Sequence, residues 1–319
     1  MDFLNIYLVY LVMISLSIAS SFFYEARFSV IPDLVGEDKL DEANSFLYAN
    51  KALISLFSVA IAGFLIEFIG IRFAFLFDSI TFFAAGGVIS LAAIPYKEKH
   101  VPKKLTDKIS EIFEENMTAL REIRKTIVGK IVLVGFPLNI ASVPFILVFA
   151  HISHEIFGIA LALSALLIAE SLGRLLGNYA VNKLPWDKIT KCWAGILIMA
   201  VFALAFGGSG LVLDPLIPLY PLPILLGIAL LVFLMYLGQP IMNVTSDSIV
   251  QIAASDEHRG KILSLSDALL MIPFPFAYLF GGFLLDRYDP FVVVLLLGLI
   301  LLLTGILART FYRSSDFAN

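Results

Sequence analysis

The sequence predicts an all-α, polytopic transmembrane protein of about nine spans, on three observations. Apolar residues make up 60% of the chain and charged residues only 15%, with a mean hydropathy of +0.93, so the charge is too sparse to coat a soluble surface of this size. The apolar residues gather in long blocks, each near the roughly 20 residues that a helix needs to cross a bilayer. Period-two alternation with frequent turns, the pattern of a membrane barrel, does not occur along the chain.

Nine blocks meet the length requirement: residues 3–23, 47–66, 71–94, 129–150, 156–181, 191–213, 221–249, 261–285 and 290–309. The first opens MDFLNIYLVYL, with no basic leading segment and no small-residue cleavage site, and reads as a retained helix rather than a signal peptide. A polar, charged connection, from Phe22 to Ala52, follows it. After the third block, Leu105, Ile109, Ile112, Leu120, Ile123 and Ile127 recur at helical spacing among acids and bases. That pattern predicts a helix lying along the cytoplasmic face, serving as a solvated linker with membrane-anchoring charge or as a regulatory or partner-binding site.

Orientation follows from the basic residues. With the first block starting outside, the cytoplasmic segments hold Arg27, Lys39, the nine bases from Lys97 to Lys130, Lys183, Lys188, Lys191, Arg259, Lys261, Arg309 and Arg313. The external connections hold only Arg72 and Arg287. The positive-inside bias therefore places the N-terminus outside the cytoplasm and the C-terminus within it.

Polar residues inside the blocks are the candidate functional groups. Glu170 and Arg174 are one helical turn apart, so each can offset the cost of burying the other, as a structural pair or as a pair coupled to substrate or protons. Asn139 lies mid-block, and Gln239 and Asn243 repeat at i, i+4, so these amides can line a substrate path or bond between helices. Asp247 and Asp267 are placed nearer the cytoplasmic surface, with Lys or Arg as partners, and Asp78 nearer the outer face. Pro137 and Pro144, Pro240, and Pro273 with Pro275 remove amide donors and bend or open their helices, as packing kinks or as gating points. Gly173 and Gly177 have the spacing of a close-packing face.

Other chemistries are poorly served. A single cysteine, Cys192, excludes an internal disulfide and a multi-cysteine metal site. The HISHE stretch from His151 to Glu155 lacks the His-Glu-x-x-His register of a zinc helix, and no Gly-rich phosphate loop with its Lys occurs. The basic segment is mixed with acids and is explained by topology, so no enzyme activity, cofactor or nucleic-acid partner is expected; the expected partners are the lipid bilayer and a small molecule.

Several stretches, in order, resemble one family. FFYEARFSVIPDLVGEDKLDEANSFL has an aromatic run, Ala26 and Arg27, then Ile31 to Val35 with Asp33, then Ala43 to Ser45 opening the next helix. GIRFAFLFDSITFF carries Asp78 in a Phe-x-x-Asp setting, and GNYAVNKLPWDK is a worn Gly-x-x-x-Asp-Arg turn. LGQPIMNVTSDSIVQIAASDEHRGKILSLSDALL carries Gln251 and the pair Arg259 and Gly260, and GGFLLDRYDP follows. Together these resemble helices four to twelve of major facilitator superfamily exporters, in the branch with macrolide and siderophore efflux proteins. The resemblance implies a truncated major-facilitator-like fold: a three-helix remnant of the N-terminal transporter half at 1–96, a cytoplasmic amphipathic linker at 97–128, and a six-helix C-terminal half at 129–319. It implies structural or gating roles for Asp33, Asp78, Arg259 and Gly260.

The family's first three helices have no counterpart here, so a second polypeptide, a second copy or an upstream reading frame is expected to supply them. The resulting expectation is a secondary transporter that exports a small amphipathic or hydrophobic compound, driven by protons. The alternative is a truncated membrane protein with a structural or interaction role.

Overall fold

Long runs of Leu, Ile, Phe, Val and Ala can satisfy their backbone hydrogen bonds only internally within a bilayer, which favours helix. The computed structural model describes residues 3–68, 71–91, 116–158, 160–254 and 259–313, and every regular element among them is helical. In order these are α1 (Phe3–Val35), α2 (Leu40–Phe68), α3 (Ile71–Leu91), α4 (residues 116–125), α5 (Ile127–Ser142), α6 (Phe145–His151), α7 (Ala160–Val181), α8 (Lys188–Leu213), α9 (Pro221–Ala253), α10 (Arg259–Met271), α11 (Pro273–Leu285) and α12 (Pro290–Arg313). The linker expected at 97–128 lies outside the described residues as far as residue 115.

The span count needs correction. Among the described residues, six segments are long and apolar enough to cross a membrane, not nine: Tyr10–Val35, Ile127–Ile156, Lys188–Leu216, Pro221–Ala253, Arg259–Leu285 and Pro290–Tyr312. Of the other three blocks, much of the one at 47–66 lies outside the described side chains, and the described part of α3, Phe75–Leu91, is apolar but shorter than a span. The described side chains of α7 include Glu170, Arg174 and Asn178, which lower the hydropathy of that stretch.

The connection expected from Phe22 to Ala52 is much shorter than its polarity suggests. α1 continues through Pro32 to Val35 and ends at Gly36, whose φ of 78° lies in the left-handed region that favours glycine. The Gly36 N–H donates to the Pro32 carbonyl at 2.9 Å, and one 3₁₀ turn, Glu37–Lys39, leads directly into α2. The fourth expected span is also subdivided. α5 ends at Ser142, Pro144 caps α6, and a π-helical turn at Ile152–Ile156 closes the segment with the Phe157 N–H donating to the Ile152 carbonyl at 3.1 Å. Pro273 likewise opens α11 immediately after α10, whereas α9 runs unbroken through Pro240.

α9 is the central strut. α7 and α8 pack along it, α12 packs on α8, and α5 packs on α12, α11 and α10. Fully buried aromatic rings join these helices: Phe149 lies 6.4 Å from Phe206 and 6.3 Å from Tyr236, and Phe206 meets Phe291 edge-on at 6.2 Å. α2 leans on α7 and α9, α1 on α10, and α3 on α2. The outer apolar side chains of α1 and α3, among them Tyr7, Leu11, Ile14, Phe77, Phe83 and Leu91, are exposed; lipid tails are as apolar as they are, so a membrane protein bears no hydrophobic cost for this.

Two small residues let α8 and α9 touch backbone to backbone. A Cβ placed on Gly195 would stand 2.6 Å from the Gly238 carbonyl oxygen and 2.8 Å from the Met242 nitrogen, distances that side chains do not tolerate. The Gly173 and Gly177 pair makes the corresponding face of α7, with Gly177 against the Leu237 carbonyl and Pro240. At the start of α8, Asp187 is the N-cap and its Oδ2 accepts from the Thr190 N–H at 2.9 Å. Desolvation works against the Asp187 carboxylate, but the hydrogen bonds from the Thr190 side chain and from the Thr190, Asp187 and Ile189 backbone together outweigh it and hold its pKa below the usual carboxylate range.

Gly195→Ala is expected to lower the thermal unfolding midpoint in detergent, by overpacking worth about 1–3 kcal/mol, while Gly208→Ala, where no atom lies within 4 Å of the added Cβ, leaves it unchanged or raises it. Asp187→Ala should cost about 1 kcal/mol of helix stability. Because the folded pKa is depressed, the wild-type advantage is full above the unfolded carboxylate pKa and disappears as the pH falls through the lower folded value; chemical denaturation at neutral and acidic pH checks both statements.

Candidate functional site

The first four turns of α2 put Asn44, Tyr48 and Lys51 at i, i+4 and i+7, so they share the face turned toward α9. A bilayer leaves buried polar groups no water to bond, and the facing turns of α9 supply the partners. Asn44 is completely buried; its Nδ2 donates to Gln251 Oε1 at 2.8 Å and to Ser248 Oγ at 3.1 Å. Gln251 Nε2 in turn donates to the Phe28 carbonyl of α1 at 3.4 Å. One turn earlier on α9, Asp247 Oδ2 accepts from the Tyr48 hydroxyl at 2.5 Å. Three helices are thereby stitched by amides, a hydroxyl and a carboxylate.

Two ion pairs close the ends of this seam. Lys188 Nζ donates to Asp41 Oδ1 at 2.7 Å, joining α8 to α2, and Arg259 meets Asp33 at 3.4 Å, joining α10 to α1. Asp33 and Arg259, far apart in sequence, thus face one another, and Gly260 passes Ser29 of α1.

Above the seam, a cavity of about 230 Å³ opens between α2, α7 and α9. Gln239, Pro240 and Asn243 form its α9 wall, Arg174 and Asn178 its α7 wall, and Tyr48 and Lys51 its α2 wall. The i, i+4 amides therefore do share a stripe. Arg174 Nη2 bonds Glu170 Oε1 at 2.6 Å, and its guanidinium lies 5.0 Å from the Tyr236 ring centre. Asn178 is 2% exposed and donates to the Arg174 carbonyl at 2.8 Å, but its Oδ1 is buried without a hydrogen-bond partner among the described residues.

A smaller cavity of about 90 Å³ lies between α5, α9 and α10, and Asn243 lines both. It holds Asn139, Asp247 and Asp267, with Asn139 Nδ2 donating to the Leu270 carbonyl at 2.8 Å. Asp267 and Lys51 are the charges that act on the Asp247 carboxylate. The structure consequently gathers Asn139, Gln239, Asn243, Pro240, Arg174, Asp247 and Asp267 around two adjoining spaces. Glu170 stands behind Arg174, and Asp78 is apart from them all, on exposed α3. Pro273 and Pro275 form the first turn of α11.

Tyr48, Lys51 and Asn44 are the participants that sequence reasoning left out. Their signal was available in the i, i+4, i+7 repeat of polar residues, but the stretch containing them reads as a connecting loop until α2 is seen to begin at Leu40. The His151 to Glu155 stretch holds a local contact of His154 Nδ1 with Glu155 Oε1 at 2.8 Å, on exposed side chains. Among the described residues no three His, Cys, Asp or Glu side chains gather as a metal site.

No curated protein and no solved structure matches the chain. The sequence model of the Major Facilitator Superfamily matches residues 1–265, from the start of the sequence into α10. With a match over more than half of its length and an all-α, multi-pass membrane architecture, the chain belongs to the Major Facilitator Superfamily of membrane transport proteins.

Proposed function

We propose that this protein carries out secondary transport, exporting a small amphipathic or hydrophobic compound by alternating access and drawing on a proton gradient. The observation that carries this reading is the cavity of about 230 Å³ between α2, on the N-terminal side of the chain, and α7 and α9, on the C-terminal side. Superfamily transporters place substrate near the bilayer midplane between their repeats, and this cavity offers amides and cations to orient a cargo beside apolar helices. In this reading α1 to α3 belong to the N-terminal half and α5 to α12 form the C-terminal half. The order of motifs around Arg27, Asp33, Asp78, Gln251 and Arg259 favours the macrolide and siderophore efflux branch within the superfamily.

Glu170 is the acid assigned to coupling. It is held on Arg174, and Arg174 lines the cavity, so a cargo that draws Arg174 away changes the stability of the Glu170 charge. Proline-opened segments at Pro144 and Pro273 and the mid-helix Pro240 provide places where helices can bend during the cycle.

In liposomes bearing the complete transporter and an imposed pH gradient, the wild type is expected to move an amphipathic compound together with protons, and Glu170→Gln to abolish both movements while eluting as a folded protein. Undiminished coupled flux in the variant rejects Glu170 as the coupling acid; no flux of any amphipathic compound in the wild type rejects transport. The basic residues orient the chain, so a reporter fused after Gly36 is expected to read cytoplasmic and one placed at Gly158 extracytoplasmic.

A further inference from the structure

A third cavity, of about 320 Å³, lies between α1 and α2 and meets the 230 Å³ cavity at Tyr48 and Lys51, which line both. Taken together, the two spaces are lined by three cations, Arg27, Lys51 and Arg174, and among their described lining residues there is no carboxylate. The acids nearby are directed elsewhere. Glu170 bonds Arg174 Nη2 from behind the wall, and Asp247 takes the Tyr48 hydrogen bond and opens on the 90 Å³ cavity instead.

The donors are also incompletely used. Arg174 Nε is buried and has no hydrogen-bond partner among the described residues. Gln239 and Asn243 add amide donors along the same wall. An unused guanidinium N–H in a low-dielectric site costs free energy that an incoming acceptor recovers, most strongly when the acceptor is charged. At the far end Phe28, Leu47 and Ile54 give the α1 and α2 cavity an apolar side, and Arg27 is held over the Tyr24 ring at 5.3 Å.

Building on the transport reading above, we propose that the joined cavities bind a small amphipathic organic anion. Its carboxylate or sulfonate sits between Lys51 and Arg174 beside the Gln239 and Asn243 amides, and its aromatic or alkyl body lies toward Phe28 and Ile54. Arg174 donates to the anion from the part of its guanidinium that lines the cavity, which weakens its hold on Glu170 and links cargo binding to the coupling acid. Lys51 is exposed and is the cation most free to follow the head group. Cationic compounds of the same shape find two or three like charges in their way and no lining acid to offset them.

Binding is to be measured by calorimetry on the full chain in nanodiscs, with three probes of one shape: naphthalene-2-carboxylate, its neutral amide, and naphthylmethylammonium. The carboxylate is expected to bind at least tenfold more tightly than either other probe, with Lys51→Gln weakening it about tenfold, the loss of one charge-assisted hydrogen bond. Lys51→Arg should preserve most of the affinity, and Lys51→Glu should abolish it. Equal or tighter binding of the ammonium probe, undiminished carboxylate binding in Lys51→Gln, or no binding of the carboxylate each overturns the proposal. The same probes in liposomes separate the two readings. Binding of the carboxylate without flux leaves the anion site standing and removes transport, whereas flux of the ammonium probe alone leaves transport standing and removes the anion site.

Discussion

The whole arrangement of the N-terminal helices depends on one buried amide. Asn44 has no exposed surface, and its Nδ2 is satisfied only where Ser248 and Gln251 of α9 stand opposite. A polar side chain in this setting costs a few kcal/mol when unpaired, so α2 is held to a single register on α9. That register then brings Tyr48 to Asp247, Lys51 to the cavity, and Asp41 to Lys188. Apolar contact alone would not select it, because sliding one greasy helix along another in lipid exchanges Leu for tail with little gain.

Within the C-terminal helices a different device operates. α7, α8 and α9 come together through glycines that allow backbone contact, and the gaps between them are filled by the Phe149, Phe206, Phe291 and Tyr236 rings. Small residues at the crossings and aromatic rings in the interstices give many short-range dispersion contacts, which is the packing force left once the hydrophobic effect has been spent on insertion. This bundle presents the polar stripe of α9, from Gln239 through Asn243 and Asp247 to Gln251, to α1 and α2. The site thus sits where a glycine-packed bundle meets a seam of hydrogen bonds, and motion between the two would alter polar pairings more than packing.

Charge is distributed along the seam in an ordered way. Cations line the larger spaces, carboxylates line the smaller one, and Asn243 stands between. Among the described residues three carboxylates are engaged by cations: Glu170 by Arg174, Asp41 by Lys188, Asp33 by Arg259. In a low dielectric such pairs lower the cost of burying charge without necessarily adding stability, and their value here is positional, since each ties two turns or two helices at a defined point.

The sequence by itself determined the all-α, multi-pass character of the protein, because block length and charge depletion are direct consequences of what a bilayer tolerates. It also identified the Glu170 and Arg174 pair, the Gln239 and Asn243 stripe and the Gly173 and Gly177 face, since all are separations of one helical turn and need no knowledge of what lies opposite. Tertiary structure decided the rest. Among the described residues six segments, not nine, are long and apolar enough to span, and α7 carries a polar face that its packing on α2 and α9 partners. The stretch after Phe22 became the end of one helix and the start of another, since its charges are partnered across space rather than solvated in a loop. Asp247 went to Tyr48 and Asp33 to Arg259, pairs about two hundred residues apart in the chain. Such partners are chosen by helix register and crossing geometry, and no local spacing in the sequence encodes them.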